Sequence, residues 1–107
     1  MNKSTMKKLI SFSNYYSKLS WKEKIVIEDL FERDENTYNG SIGEYSRDLE
    51  MDPSNARKAI LSLCEKKIID VDFIKKISKK SMKRYNVMTS CSLSEEWINS
   101  TVTSFLK

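Results

Sequence analysis

A chain of 107 residues, 39% of them hydrophobic, is long enough for one domain with a modest core, and one Pro and two Gly leave no room for a flexible linker. It contains no His and neither a glycine-rich phosphate loop nor metal-spaced ligands, so an enzyme is the weakest functional class and no cofactor or metal is expected. The net charge of +4 is small but unevenly placed: residues 1–27 are net +5, 28–52 net −7, 53–84 net +7 and 85–107 net −1.

Residues 3–18 have the spacing of a helix, with Met6, Leu9, Ile10, Ser13 and Tyr16 on one side. Ser20-Trp21-Lys22-Glu23 is a capping box, which satisfies orphan N–H groups at a helix start. The helix that follows should run to about Arg33, with Trp21, Ile25, Val26, Ile27 or Glu28, Leu30 and Phe31 near its inner stripe. Residues 34–40 read as a loop, in which Tyr38 suits a very short strand. Ser41-Ile42-Gly43-Glu44 is a second capping box, opening a short helix with Ile42, Tyr45 and Leu49 inward. Asp52-Pro53 restarts the chain, with Asp as N-cap and Pro at the first helical position. This third helix should span about 53–66. Ala56, Ile60, Leu63 and Cys64 face inward, and Ser54, Asn55, Arg57, Lys58, Ser62 and Glu65 face outward.

From Ile68 the period changes to two. Ile69, Val71 and Phe73 alternate with Asp70 and Asp72, the pattern of a half-buried strand. The two Asp read as outward, solubilising residues rather than as a catalytic pair. Tyr85 and Val87 alternate with Arg84, Asn86 and Met88 as a returning strand. Ser92 or Ser94 caps a last helix with an apolar stripe of Leu93, Trp97, Ile98, Val102, Phe105 and Leu106. Between the strands, residues 75–84 carry six positive charges and no negative one, from Lys75, Lys76, Lys79, Lys80, Lys83 and Arg84. Blocks of one sign give a surface a directed field. The acidic block 28–52 is therefore expected to point away from any polyanion that this segment meets.

Cys64 and Cys91 form no C-x-x-C pair, and Cys64 reads as a small buried residue rather than a disulfide or metal ligand. Lys3, Lys7 and Lys8 precede no long apolar run, since Leu9-Ile10 is broken by Ser11 and Ser13. Neither a signal peptide nor a membrane span is expected, and the protein should be cytoplasmic. Lys outnumbers Arg fifteen to four and Ala occurs twice, a bias that suggests an AT-rich bacterial, phage or plasmid genome.

The fold class expected is mainly α with a small β-hairpin (α+β), in a single domain over 1–107. The run Ser41-Ile42-x-x-Tyr45-Ser46-x-x-Leu49-x-Met51, followed by Asn55-Ala56-Arg57-Lys58-Ala59-Ile60-x-x-Leu63-x-x-x-x-Ile68-Ile69, resembles a winged helix-turn-helix domain. The resemblance covers about 20–88, and leaves flanking helices at about 3–18 and 93–106. It departs from the family at Ser46, often Ala, and at Lys67, often Gly where φ > 0 is needed. It implies a positioning helix, then a recognition helix, then a basic wing, and double-stranded DNA as the partner. Small members of this kind from plasmids and phages include repressors, replication factors, and accessory proteins that mark a transfer origin for a conjugation relaxase. No residue motif selects among them.

The recognition helix would present Ser54, Asn55, Arg57 and Lys58 to base edges, but Asp48, Glu50 and Asp52 crowd the same end. The wing has no such conflict, so Lys75, Lys76, Lys79, Lys80, Lys83 and Arg84 are expected to supply most of the affinity. A narrow A·T-rich minor groove would suit them. A homodimer is expected through Leu93, Trp97, Ile98, Val102, Phe105 and Leu106, together with 6–19. The competing arrangement closes both terminal helices over one core. The competing function is a protein-interaction winged helix whose basic loop meets an acidic partner.

Overall fold

The computed structural model describes residues 18–106, with side chains described to Thr103. The expected helix over 3–18 and the side chains of Phe105 and Leu106 lie outside the described residues. The elements are α1 (Trp21–Glu32), a single 3-10 turn (Asp34–Asn36), β1 (Thr37–Asn39), α2 (Ile42–Asp48), α3 (Pro53–Glu65), β2 (Ile69–Ile77), β3 (Arg84–Leu93) and α4 (Glu95–Leu106). The chain is thus mixed α+β, with one antiparallel sheet in the order β1-β3-β2. No helix among the described residues is long and apolar enough to cross a membrane.

The helix starts follow their local chemistry. Ser20 and Ser41 each close a reciprocal capping box, with Glu23 and Glu44. Asp52 caps α3, accepting from the Ser54 N–H at 2.9 Å. Ser94 caps α4, its hydroxyl accepting from the Trp97 N–H at 3.2 Å, whereas Ser92 lies inside β3.

Two helix ends use the left-handed conformation without glycine. After α2, Glu50 has φ 54, with Met51 N–H donating to the Ser46 carbonyl at 2.9 Å and Glu50 N–H to Arg47 at 3.1 Å. After α3, Lys67 has φ 62, with Ile68 N–H donating to Leu63 and Lys67 N–H to Cys64, both at 3.0 Å. Both are Schellman closures, and Leu63 and Ile68, fully buried, supply the usual apolar contact across the second one. Ser46 is also fully buried, and its hydroxyl donates to the Gly43 carbonyl at 2.7 Å. A serine is therefore satisfied where alanine is common.

The core is built from Val26, Ile27, Leu30 and Phe31 of α1, Tyr45 of α2, Ala59, Ile60 and Leu63 of α3, and Ile68, Ile69, Met88, Cys91 and Leu93 of the sheet region. Cys91 is buried and Cys64 half-buried, and both are free thiols. Burial pushes the Cys91 thiol up to about 12. The stripe of α1 begins at Glu23, not Trp21. Glu23, Val26, Ile27, Leu30 and Phe31 are buried, a run at i, i+3, i+4, i+7, i+8. Trp21 lies two residues, about 200°, away from its first position and is 64% exposed.

α4 packs on the same core. Trp97 and Ile98 are buried in it, Val102 packs against it, and Leu93 reaches it from the end of β3 rather than from the helix. These four residues cover the chain's own core, the competing arrangement for the C-terminal helix.

Replacing Lys67 with Gly should raise stability by about 1 kcal/mol, because the left-handed conformation strains any side chain with a Cβ. Urea denaturation midpoints of Lys67→Gly and wild type measure this, and an unchanged or lowered midpoint contradicts it.

Candidate nucleic-acid interface

The basic decapeptide is mostly strand. Lys75, Lys76 and Ile77 continue β2, and Arg84 begins β3. Only residues 78–83 form the turn, closed by Ser78 N–H donating to the Lys83 carbonyl at 2.9 Å and Met82 N–H donating to Ser78 at 2.8 Å. Met82 sits at φ 54.

A one-residue irregularity decides which face each side chain takes. Asp72 pairs with Ser90 and Phe73 with Met88, so Thr89 faces no residue of β2. The Thr89 hydroxyl donates to the Asp72 carbonyl at 3.3 Å, and its own carbonyl accepts from Gly40 N–H at 2.8 Å. Such a bulge reverses the alternation of β3. Cys91 and Leu93 face the core on one side of it and Met88 on the other, while Tyr85 is 48% exposed and Val87 half-buried. The sequence alternation grouped Met88 with Arg84 and Asn86, but Met88 is buried in the core while those two are exposed. Phe73, expected inside, is 40% exposed, and it lies just past the register irregularity between Asp72 and Phe73.

All of Asp72–Ile77 and Lys83–Asn86 are exposed. Among the described residues, the distal hairpin is therefore a two-stranded arm with most of its surface exposed. Five residue pairs from Phe73–Met88 to Ile77–Arg84 give it a reach of roughly 17 Å at the usual strand rise. None of Lys75, Lys76, Lys79, Lys80, Lys83 and Arg84 makes an ion pair among the described residues. All six are exposed, and the structure brings them together on one arm.

The face of α3 is less open. Ser54, Arg57 and Lys58 are exposed and Asn55 is half-buried. The Ser54 hydroxyl already donates to Asp52 Oδ1 at 2.6 Å, and these hydrogen bonds hold the Asp52 carboxyl below its usual range. Asp48 lies 3.7 Å from Arg33 Nη2. Leu61, 39% exposed, continues the Arg57–Lys58 face by i, i+4 spacing. Ser62, expected outward, turns to α1: its hydroxyl donates to Glu23 Oε2 at 3.1 Å, beside Lys66 Nζ at 2.8 Å.

A shallow groove between α1 and α3 is lined by Ser20, Lys22, Glu23, Asn55, Lys58, Ala59 and Ser62. Lys22 lies 5.5 Å over the ring of the exposed Trp21. Trp21, expected on the inner stripe, is instead exposed beside Lys22, which lines this groove. The available signal was that a buried, capping Glu23 fixes the stripe and turns Trp21 out.

No protein-family model matches the chain, and no curated protein matches it either.

Glu23 ties the two helices together. Burial acts to raise its pKa, but hydrogen bonds from Lys66, Ser20 and Ser62 outweigh that, and the carboxyl titrates below its usual 4.5. A depressed carboxylate stabilises the fold above its ordinary pKa and loses that contribution as pH falls through the folded value. Glu23→Gln should destabilise by roughly 1–2 kcal/mol at neutral pH. The gap from wild type should close on acidification below the usual carboxylate range. Urea titrations at several pH values test this, and a gap that stays constant with pH rules it out.

Proposed function

We propose that the protein is a non-enzymatic, double-stranded DNA-binding module of the winged helix-turn-helix class, and that its basic arm is the main contact. The observation that carries this reading is the arm itself: six exposed cations with no ion pair among the described residues, and no acid among residues 75–84. Such a segment has no role in the core, and it neutralises phosphates well. The element order α1-β1-α2-α3-β2-β3 and the sheet order β1-β3-β2 support the class. In it, α2 and α3 would be the helix-turn-helix pair and the arm the wing. α3 would read bases through Asn55, Arg57 and Lys58; Asp48 and Asp52, engaged in structural contacts, oppose it less than bare charges would.

The biological setting that fits a small basic binder of this composition is a plasmid or phage. It would act there in the cytoplasm as a transcriptional repressor or as an origin-binding accessory factor alongside a relaxase or replication protein. Homodimerisation belongs to the same proposal; of its expected contacts, Leu93, Trp97 and Ile98 are buried in the chain's own core and Val102 is half-buried against it. A second reading, an acidic protein partner, is favoured by the apolar exposure of Phe73, Ile74, Ile77 and Tyr85 along the arm.

Lys79→Ala with Lys80→Ala should weaken duplex binding more than Arg57→Ala with Lys58→Ala. It should also flatten the log–log salt dependence by about 2, near 0.9 for each lost phosphate contact. Fluorescence anisotropy across a salt series tests this. A larger loss from the α3 pair sinks the arm-first reading, and no binding to any duplex at low salt favours the acidic partner.

A further inference from the structure

The apex of the arm carries an apolar group that folding does not use. Met82 is 75% exposed, more than any other large apolar residue described. Its φ of 54 is a conformation in which Gly or Asn is the ordinary choice. The hydrogen bonds across Ser78, Met82 and Lys83 nevertheless hold the turn closed around it. Ile77, 55% exposed, ends β2 opposite Arg84. Lys79, Lys80, Lys83 and Arg84 occupy the same turn and its last strand pair as these two residues. A turn made only for solvation or for charge gains nothing from Met at its most strained position.

We infer that Met82, backed by Ile77, is a wedge that enters a base step of the duplex and bends it. This rests on the DNA-binding reading above. Cations around the apex engage phosphates on either side of a groove, which leaves the apolar point facing the base pairs. Inserted apolar side chains, Met among them, unstack a step from the minor-groove side and kink DNA by roughly 20–90°. Pyrimidine–purine steps such as TA deform most easily, so A·T-rich duplexes with a central TA step are the preferred class of ligand. The unstacked step also gives the apolar exposure of the apex something to cover.

Energy transfer between dyes at the two ends of a duplex of about 30 base pairs reads the bend, and anisotropy on the same samples reads affinity. Wild type should bring the ends closer on binding. Met82→Gly suits the positive φ, so it should melt no lower than wild type. Because phosphate contacts dominate affinity, it should bind within about threefold of wild type, yet leave the duplex nearly straight. A Met82→Gly complex as bent as the wild-type one overturns the wedge, as does wild-type binding without a bend, and both leave DNA binding standing. Failure of wild type to bind duplex overturns the wedge and the DNA-binding reading together.

Discussion

Thr89 faces no partner on β2, yet its carbonyl takes the Gly40 N–H and its hydroxyl reaches the Asp72 carbonyl. That single extra residue marks the place where a covered sheet becomes an uncovered arm. On one side lie three strands with Tyr38, Val71, Cys91 and Leu93 against the helices. On the other lie two strands whose described residues are mostly exposed. Bulges increase the local twist, so the arm need not continue the plane of the sheet. Gly40 belongs to this junction: at φ 152, a Cβ there would stand 3.0 Å from the Tyr38 ring. A side chain there would press on the Tyr38 ring, which stacks on Tyr45.

The body to which the arm is anchored is fixed by one carboxylate. Asp29 Oδ2 accepts from Arg33 Nε and from the Tyr45 hydroxyl, each at 2.6 Å. Arg33 lies 4.7 Å over the Tyr38 ring, and Tyr38 stacks on Tyr45 with centroids 4.1 Å apart. Burial and the Asp29 carboxylate raise the Tyr45 phenol far above its usual value, so it stays a donor. This cluster joins α1, β1 and α2, while Glu23 joins α1 to α3. A small core gains specificity from polar contacts that fit one arrangement only, provided every member is satisfied.

The helix starts were legible in the sequence because their causes are local: two capping boxes and an Asp-Pro restart act over three or four residues. The positive φ at Lys67 was expected only through the winged helix-turn-helix resemblance, not from a local signal. Features that depend on distant residues were not legible. Nothing near Thr89 announces a bulge, because it arises from how β2, β3 and Gly40 register together. Trp21 looked like core since aromatic residues usually are, yet a buried Glu held by Lys66 and Ser62 took the inward place. The cationic residues were visible as a block, but their extension into both strands follows from pairing between 73–77 and 84–88.

The acidic block also changes meaning once its contacts are known. Read as charge alone, residues 28–52 form a negative surface that would have to turn away from a polyanion. In the fold, Asp29 holds Arg33 and Tyr45, Asp48 approaches Arg33, Glu44 closes a capping box, and Asp52 caps α3. Much of the block is thus committed to helix ends and to one cation, where it stabilises local structure. Among the described residues, the cations of the arm make no ion pair. The net field at the arm therefore follows from structural use of the acids as much as from the count of lysines. Reversing a structural acid such as Asp52 would disturb α3 before it altered any long-range attraction.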